Sequence, residues 1–334
     1  MTPDPALLGI PGKFFVLLSV LLLACYGAAH LARWHWFFDL LSHFLVQYAF
    51  FALVFCAILF VLKMYPLSLL MLSVSLASFY ETRRPLAEPW RFSAPPRDAK
   101  ERNIFRVAQY NKHYDNKNFA AIADWLNQSP DSFDIVFLLE VEPDDADALR
   151  GLTAKVYPYA EPAEGVGPDF SLILSRHKPL SVERKKVAPD MIGTRGTRVE
   201  MQPEGFKAPV VFYSVHTRVP MPRRGQVRRN AELAGLAAWI AQDQSPYKIA
   251  VGDWNITPYS PYFSDFLKVS GQKYQTYGIF PPGTWVSYFT LPFLKIPIDH
   301  ITYGPGLTVL EIKAGPSFGS DHQALVGVFA VRRD

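Results

Sequence analysis

Between residues 14 and 80 the chain is almost free of charge, and most of its charged residues follow. That break is the first domain boundary. Within it, residues 14–32 (FFVLLSVLLLACYGAAHLA) and 44–62 (FLVQYAFFALVFCAILFVL) each approach the ~20 residues that a helix needs to cross a bilayer core. A third run, 64–80, is shorter and carries Pro66 near its start, where a first helical turn tolerates proline. The pattern predicts three spans. Trp34 and Trp36 fall between the first two, where an aromatic belt would place them. A cleaved signal peptide is the competing reading of the first run, since Lys13 precedes it and small residues surround Ala28; two further apolar runs follow at once and argue against it. Orientation stays undecided: Lys13 and Lys63 would share one side, Arg33 and the Arg83–Arg84 pair the other. Residues 82–103 are polar and carry Pro85, Pro89, Pro95 and Pro96, the composition of an extended tether. The expected division is a membrane region 1–81, a linker 82–103 and a catalytic domain 104–334.

Beyond the tether, short β-branched or aromatic runs bounded by turn residues predict strands at 104–110, 135–139, 170–174, 209–215, 247–251, 298–303 and 323–331. Helical spacing puts Phe119, Ile122, Ala123 and Leu126 on one face of 118–127, and Val227, Leu233, Leu236 and Ile240 on one face of 225–242; residues 144–154 suggest another helix. Strands alternating with helices argue for an α/β core. The two cysteines, Cys25 and Cys56, lie in the apolar region, so the rest has no disulfide framework. A net charge of +4 gives no global basic signal for nucleic acid and stays compatible with a membrane or a phosphate-bearing substrate.

Polar residues sit directly at the strand ends. Asn111, Glu140, His216, and Asp253 with Asn255 follow apolar strands, whereas Asp299 and the Asp321–His322 pair precede theirs. If the last strands run antiparallel to the others, exits and entrances meet on one rim, where open α/β sheets bind ligands. The types suit phosphoryl chemistry. Glu140 and Asp321, helped by Asn111, are hard oxygen ligands fit for Mg²⁺ or Mn²⁺. The lack of cysteine and of HExxH spacing argues against zinc. His216 and Asn255 can donate to non-bridging oxygens, Asp253 can orient or deprotonate a water, and Asp299 can fix the tautomer of His322. His300 reads as structural, and His113 and His177 as solvated loop positions. Arg223, Arg224, Arg228 and Arg229 read equally as contacts to phosphates or lipid headgroups and as a solvated helix start; Trp285 either lines the cleft or packs in the core.

These residues also carry a resemblance. Asn111, Glu140 in FLLEV, His216 in YSVHT, GDWN at 252–255, IDH at 298–300 and SDH at 320–322 resemble, in order and over essentially all of 104–332, the endonuclease/exonuclease/phosphatase superfamily. LSRHKPL at 174–180 is similar to a family segment, with one extra residue before Pro179, and Trp254 stands where phenylalanine or leucine is usual. GTW at 283–285 resembles an element of a membrane-anchored bacterial branch with N-terminal helices, whose catalytic domain is expected outside the inner membrane. The resemblance implies two packed mixed β-sheets flanked by helices, a four-layer α/β sandwich preceded by N-terminal transmembrane helices. It implies Asn111, Glu140 and Asp321 around Mg²⁺ or Mn²⁺, His216, Asp253, Asn255 and His322 at phosphate and nucleophile, and Asp299 paired to His322.

The expected activity is hydrolysis of a phosphodiester or phosphomonoester by metal-assisted water attack, on a phospholipid, an inositol phosphate or a nucleic acid. A nuclease is one alternative, although it needs a basic groove that the modest net charge does not announce. A non-catalytic membrane module that binds phosphate ligands is another, and a transporter ranks last because the apolar runs offer no ion pathway. The expected location is the membrane, multi-pass, with the lipid bilayer as the one partner besides substrate; no protein partner is inferred.

Overall fold

A computed structural model describes residues 9–95, 104–128, 133–163, 170–188, 195–203, 206–286 and 294–332. The chain forms two compact units, one of Met1–Pro85 with Thr257–Pro261, the other of Leu86–Ile256 with Tyr262–Asp334.

The first unit holds α1 (Ile10–Ala29), α2 (Trp36–Ser42), α3 (Leu45–Val61) and α4 (Tyr65–Arg83). Small residues let α3 and α4 approach closely: Ala52 is fully buried, and Ser75 Oγ donates to Ala49 O at 2.8 Å. The sequence pattern leads to an expectation of three spans. Among the described residues α1 is long and apolar enough to cross a bilayer, over Gly12–Ala29, whereas α2 and α3 meet that test only as a pair bent by 64°. The third run does form α4, but serines at 68, 73, 75 and 78, then Glu81, Thr82 and Arg83, make it too polar.

The second unit is built on two sheets. One has the order β10-β11-β1-β2-β4-β3 and the other β5-β6-β7-β8-β9. The first contains β1 (Ile104–Asn111), β2 (Ile135–Leu139), β3 (Tyr159–Ala163), β4 (Ser171–Ser175), β10 (Leu307–Ala314) and β11 (Leu325–Val331); the second contains β5 (Ser181–Lys186), β6 (Arg195–Met201), β7 (Val210–Ser214), β8 (Tyr247–Asp253) and β9 (Asp299–Tyr303). Both are mixed: β1 pairs parallel with β2 and antiparallel with β11, and β8 pairs parallel with β7 and antiparallel with β9.

Period-two alternation explains the layering. In β2, Ile135 and Phe137 face the core between the sheets, with Phe105, Val107, Phe212, Ile249 and Val251. Their neighbours Val136 and Leu138 face outward, onto Ile122 and Leu126 of α5 (Phe119–Leu126) and Leu149 of α6 (Pro143–Thr153). On the other sheet Val211, Tyr213 and Ala250 pack against Leu233, Leu236 and Ile240 of α7 (Arg223–Gln242) and Phe263 and Phe266 of α8 (Pro261–Ser270). Strands covered on both faces read as unbroken apolar runs, which is why β2 stands out in the sequence. The four-layer α/β sandwich follows.

Residues 86–92 fall in the span expected to be a tether. Leu86 is buried in the second unit, Ala87 N donates to Tyr274 O, and Gly278 N donates to Phe92 O. Residues 96–103 of that span lie outside the described residues.

Candidate active site

The alternation that builds the inter-sheet core also builds the site. Along β1 the inward positions run Phe105, Val107, Gln109, Asn111; along β8 they run Ile249, Val251, Asp253; and β9 begins with Asp299 before Ile301. Apolar residues give way to polar ones at the same end of both sheets because β9 enters where β1 and β8 exit. His216 continues the inward series of β7 after Phe212 and Ser214.

Hydrogen bonds knit these ends together across the two sheets. Asn111 Nδ2 donates to Glu140 Oε1 at 2.9 Å and to Asp253 Oδ2 at 3.1 Å. His216 Nε2 lies 3.6 Å from Asp253 Oδ2 and 3.9 Å from Glu140 Oε1. His322 Nε2 also lies 3.6 Å from Asp253 Oδ2, while its Nδ1 donates to Asp299 Oδ2 at 2.8 Å. Gln109 Nε2 donates to Asp299 Oδ1 at 3.0 Å. Seven of the eight residues singled out from the sequence thus meet within this network, with Asn255 joining through its N–H to Asp253 Oδ1 at 3.0 Å. The eighth, Asp321, precedes His322, and its Oδ2 accepts from Trp285 Nε1 at 2.9 Å.

Backbone conformation serves the same end. Glu140 and Asn255 take positive φ, 55° and 47°, turning their side chains out of the strand direction. Gly252 has φ 149°, and a Cβ there would lie 1.9 Å from Val215 O, so β7 and β8 meet closely just before Asp253.

Electrostatics separate the roles. Burial raises the Asp253 carboxyl to about 6, against the pull of His322 and His216. Burial also opposes ionisation of Asp299, but His322, Thr284 and Gln109 hold it below its usual range. Burial disfavours a charged His322, yet Asp299 and Asp253 outweigh it and raise the imidazole to about 10. Asp253, Asp299 and His322 present ligand atoms within 4.8 Å of one another. Because Asp299 takes His322 Nδ1 in a direct hydrogen bond, the pair reads as an ion-paired dyad rather than two metal ligands.

Asp321 Oδ1 is buried with no hydrogen-bond partner among the described residues, and Asp321 and Glu140 both carry the hard oxygen donors that a divalent cation takes. The Asn111 amide oxygen accepts the His113 N–H at 3.0 Å and keeps a second lone pair, while its Nδ2 bridges Glu140 and Asp253.

The sequence reading passed over several positioning residues. Thr284 Oγ1 accepts from Asp299 N at 3.1 Å, and Ser320 Oγ ties Asn111 O to His322 N. Gln109 was legible, since it shares the inward face of β1 with Asn111 at a spacing of two. The arginine segment divides: Arg229 is fully buried and donates to Asn255 O at 2.9 Å, and Arg228 pairs with Glu232 at 3.0 Å. His300 is buried, donates through Nε2 to Ile256 O, and packs on Trp254 and Phe263, a structural role.

A family model described as the endonuclease/exonuclease/phosphatase family matches residues 103–322. The chain belongs to this family. Members of the endonuclease/exonuclease/phosphatase family are phosphoesterases and nucleases, and the chain is accordingly a hydrolase acting on ester bonds. Solved structures share the fold at low identity. An endonuclease/exonuclease/phosphatase from Beutenbergia cavernae DSM 12333 is 17% identical over 69% of this chain and 72% of its own, with a TM-score of 0.53. ANGEL2, a 2′,3′-cyclic phosphatase in complex with adenosine-2′,3′-vanadate, is 20% identical over 70% of this chain and 97% of its own, with a TM-score of 0.51. D. rerio TDP2, complexed with a single-strand DNA product, is 16% identical over 68% and 99%, with a TM-score of 0.52. No curated protein matches the chain.

Proposed function

We propose that the chain is a membrane-anchored phosphoesterase that uses a divalent cation, Mg²⁺ by preference and Mn²⁺ as a substitute, to direct water at a phosphate ester. One observation carries the reading: Asp253 lies within 3.6 Å of both His216 and His322 while Asp299 grips the far nitrogen of His322. That is a carboxylate flanked by two phosphate-binding donors, one of them held in a fixed orientation.

Glu140 and Asp321 would hold the cation, which would polarise a phosphoryl oxygen and offset developing charge. The rest falls to the chain's own groups. His322, kept protonated by Asp299, donates through Nε2 to a non-bridging oxygen. His216 donates from the other side. Asp253 Oδ2, between them, accepts the proton of the attacking water. Asn255 Nδ2 donates to Thr217 O at 2.9 Å, and its second hydrogen is left for the phosphate.

In purified full-length protein, Asp253→Ala or His322→Ala is expected to reduce hydrolysis of a soluble chromogenic phosphodiester by at least 10³-fold with the fold intact by circular dichroism. Full activity in either variant would sink the assignment. A screen against DNA, RNA, phospholipids and inositol phosphates separates the substrate classes.

The anchor in this proposal is α1, with the bent α2–α3 pair as a second crossing. The similarity of GTW at 283–285 to a membrane-anchored bacterial branch supports an inner-membrane location with the catalytic unit on the periplasmic side. Alkaline phosphatase fused after residue 334 would be active if that topology is right and silent if it is wrong.

A further inference from the structure

Arg228 and Arg229 are absorbed by the protein, but the segment just before them is not. Arg218, in the loop after His216, and Arg223 and Arg224, in the first turn of α7, are exposed, with no side-chain bond among the described residues. Interleaved with them, Val219, Met221 and Val227 are 48%, 57% and 48% exposed. The segment is held as one surface. Arg218 N donates to the buried Glu232, Gly225 N donates to Pro222 O at 2.8 Å, and a Cβ on Gly225 would meet Val219 O at 2.2 Å, so the loop lies directly against the first turn of α7. Val227 shares a helix face with Arg223 and Arg224 by its spacing of four and three.

We infer that residues 218–227 form a docking surface for an anionic phospholipid bilayer, with the arginines on headgroup phosphates and Val219, Met221 and Val227 entering the acyl boundary. Arginines mixed with exposed apolar side chains match an interface that is anionic above and apolar below. A nucleic-acid backbone would satisfy the arginines but offers nothing to three aliphatic side chains. The surface does not depend on the catalytic reading. Its consequence does: a bilayer docked two residues from His216 presents lipid phosphates to the site, so the substrate would be a phospholipid.

The test is hydrogen–deuterium exchange of peptides spanning 217–229, with full-length protein in nanodiscs of phosphatidylcholine and in discs containing 30% phosphatidylglycerol. Exchange is expected to slow at least fivefold in the anionic discs and to recover in high salt, since each arginine near such a surface contributes roughly fivefold in binding. Substituting Arg218→Gln, Arg223→Gln and Arg224→Gln together, or Met221→Ser with Val227→Ser, should remove most of that protection. Equal exchange in both discs, or protection that survives the triple variant, overturns the proposal. So does protection by a single-stranded oligonucleotide in neutral discs with none from phosphatidylglycerol. Hydrolysis of bis(p-nitrophenyl) phosphate by the same samples keeps the two readings apart. Activity without protection removes the docking surface alone, and protection without activity removes the phosphoesterase assignment alone.

Discussion

At the scale of single residues, the site depends on groups that touch no substrate. Trp285 holds Asp321 Oδ2, and beside it Thr284 holds the Asp299 backbone, so two adjacent residues orient the carboxylate proposed to hold the cation and the partner of a histidine. Trp285→Phe keeps the ring and removes the donor. Divalent-cation affinity by calorimetry is expected to fall about 10–100-fold, with stability little changed. Unaltered affinity would show that the bond does not position Asp321. Gly252 is a different case. Gly252→Ala pushes a Cβ into Val215 O and should cost about 3 kcal/mol or more, read by urea denaturation.

At the scale of elements, the reading from sequence was most accurate where a strand is buried on both faces. The run 135–139 coincides with β2, and 118–127 contains α5. Four strands were missed, three of them for a shared reason. β5 (SVERKK) is an edge strand laden with charge, β3 is an edge strand that contains Pro162, and β10 is an edge strand with a bulge between Val309 and Glu311. Edge strands are blunted by charge, proline and bulges, and those devices erase the apolar signature. β6 is interior, but polar Arg198 and Glu200 interrupt its buried Val199 and Met201, and Arg198 pairs with Glu200 and Asp243. The helix α7 couples packing to the site: its Leu236 is fully buried against the second sheet and its Arg229 supports Asn255. Leu236→Ala is expected to destabilise the unit by about 2–5 kcal/mol. Arg229→Met should instead lower turnover by shifting Asn255, with the binding of substrate less affected. A loss confined to KM would argue against that coupling.

For the whole molecule, stability and function draw on the same buried polar layer, and pH exposes this. His300 is fully buried among Trp254, Phe263 and Tyr274, and burial lowers its pKa from 6.5 to about 4. The unfolded chain therefore takes up a proton that the folded chain refuses. The stability from a neutral His300 is complete above pH 6.5 and is lost as pH falls toward 4, by on the order of 2 kcal/mol. Denaturation curves from pH 7 to 4.5 should show the loss. In His300→Gln, whose amide can still donate to Ile256 O, this component should vanish, and an unchanged pH slope would assign it elsewhere.

From the sequence alone, acids, imidazoles and amides stand out at the ends of apolar strands as candidates for hydrolytic chemistry. The sequence also determined the alternation that sets Gln109, Asn111, Asp253 and Asp299 on an inward face, since side chains along a strand point to opposite sides in turn. Which of them meet is a matter of tertiary packing. The Asn111–Asp253 and Gln109–Asp299 bonds span 142 and 190 residues of chain and join one sheet to the other, and strand order and direction are set by packing rather than by local pattern. The same holds for the arginines. Four in one segment look alike in sequence, yet Arg229 is buried on Asn255 O, Arg228 pairs with Glu232 along α7, and Arg223 and Arg224 face outward.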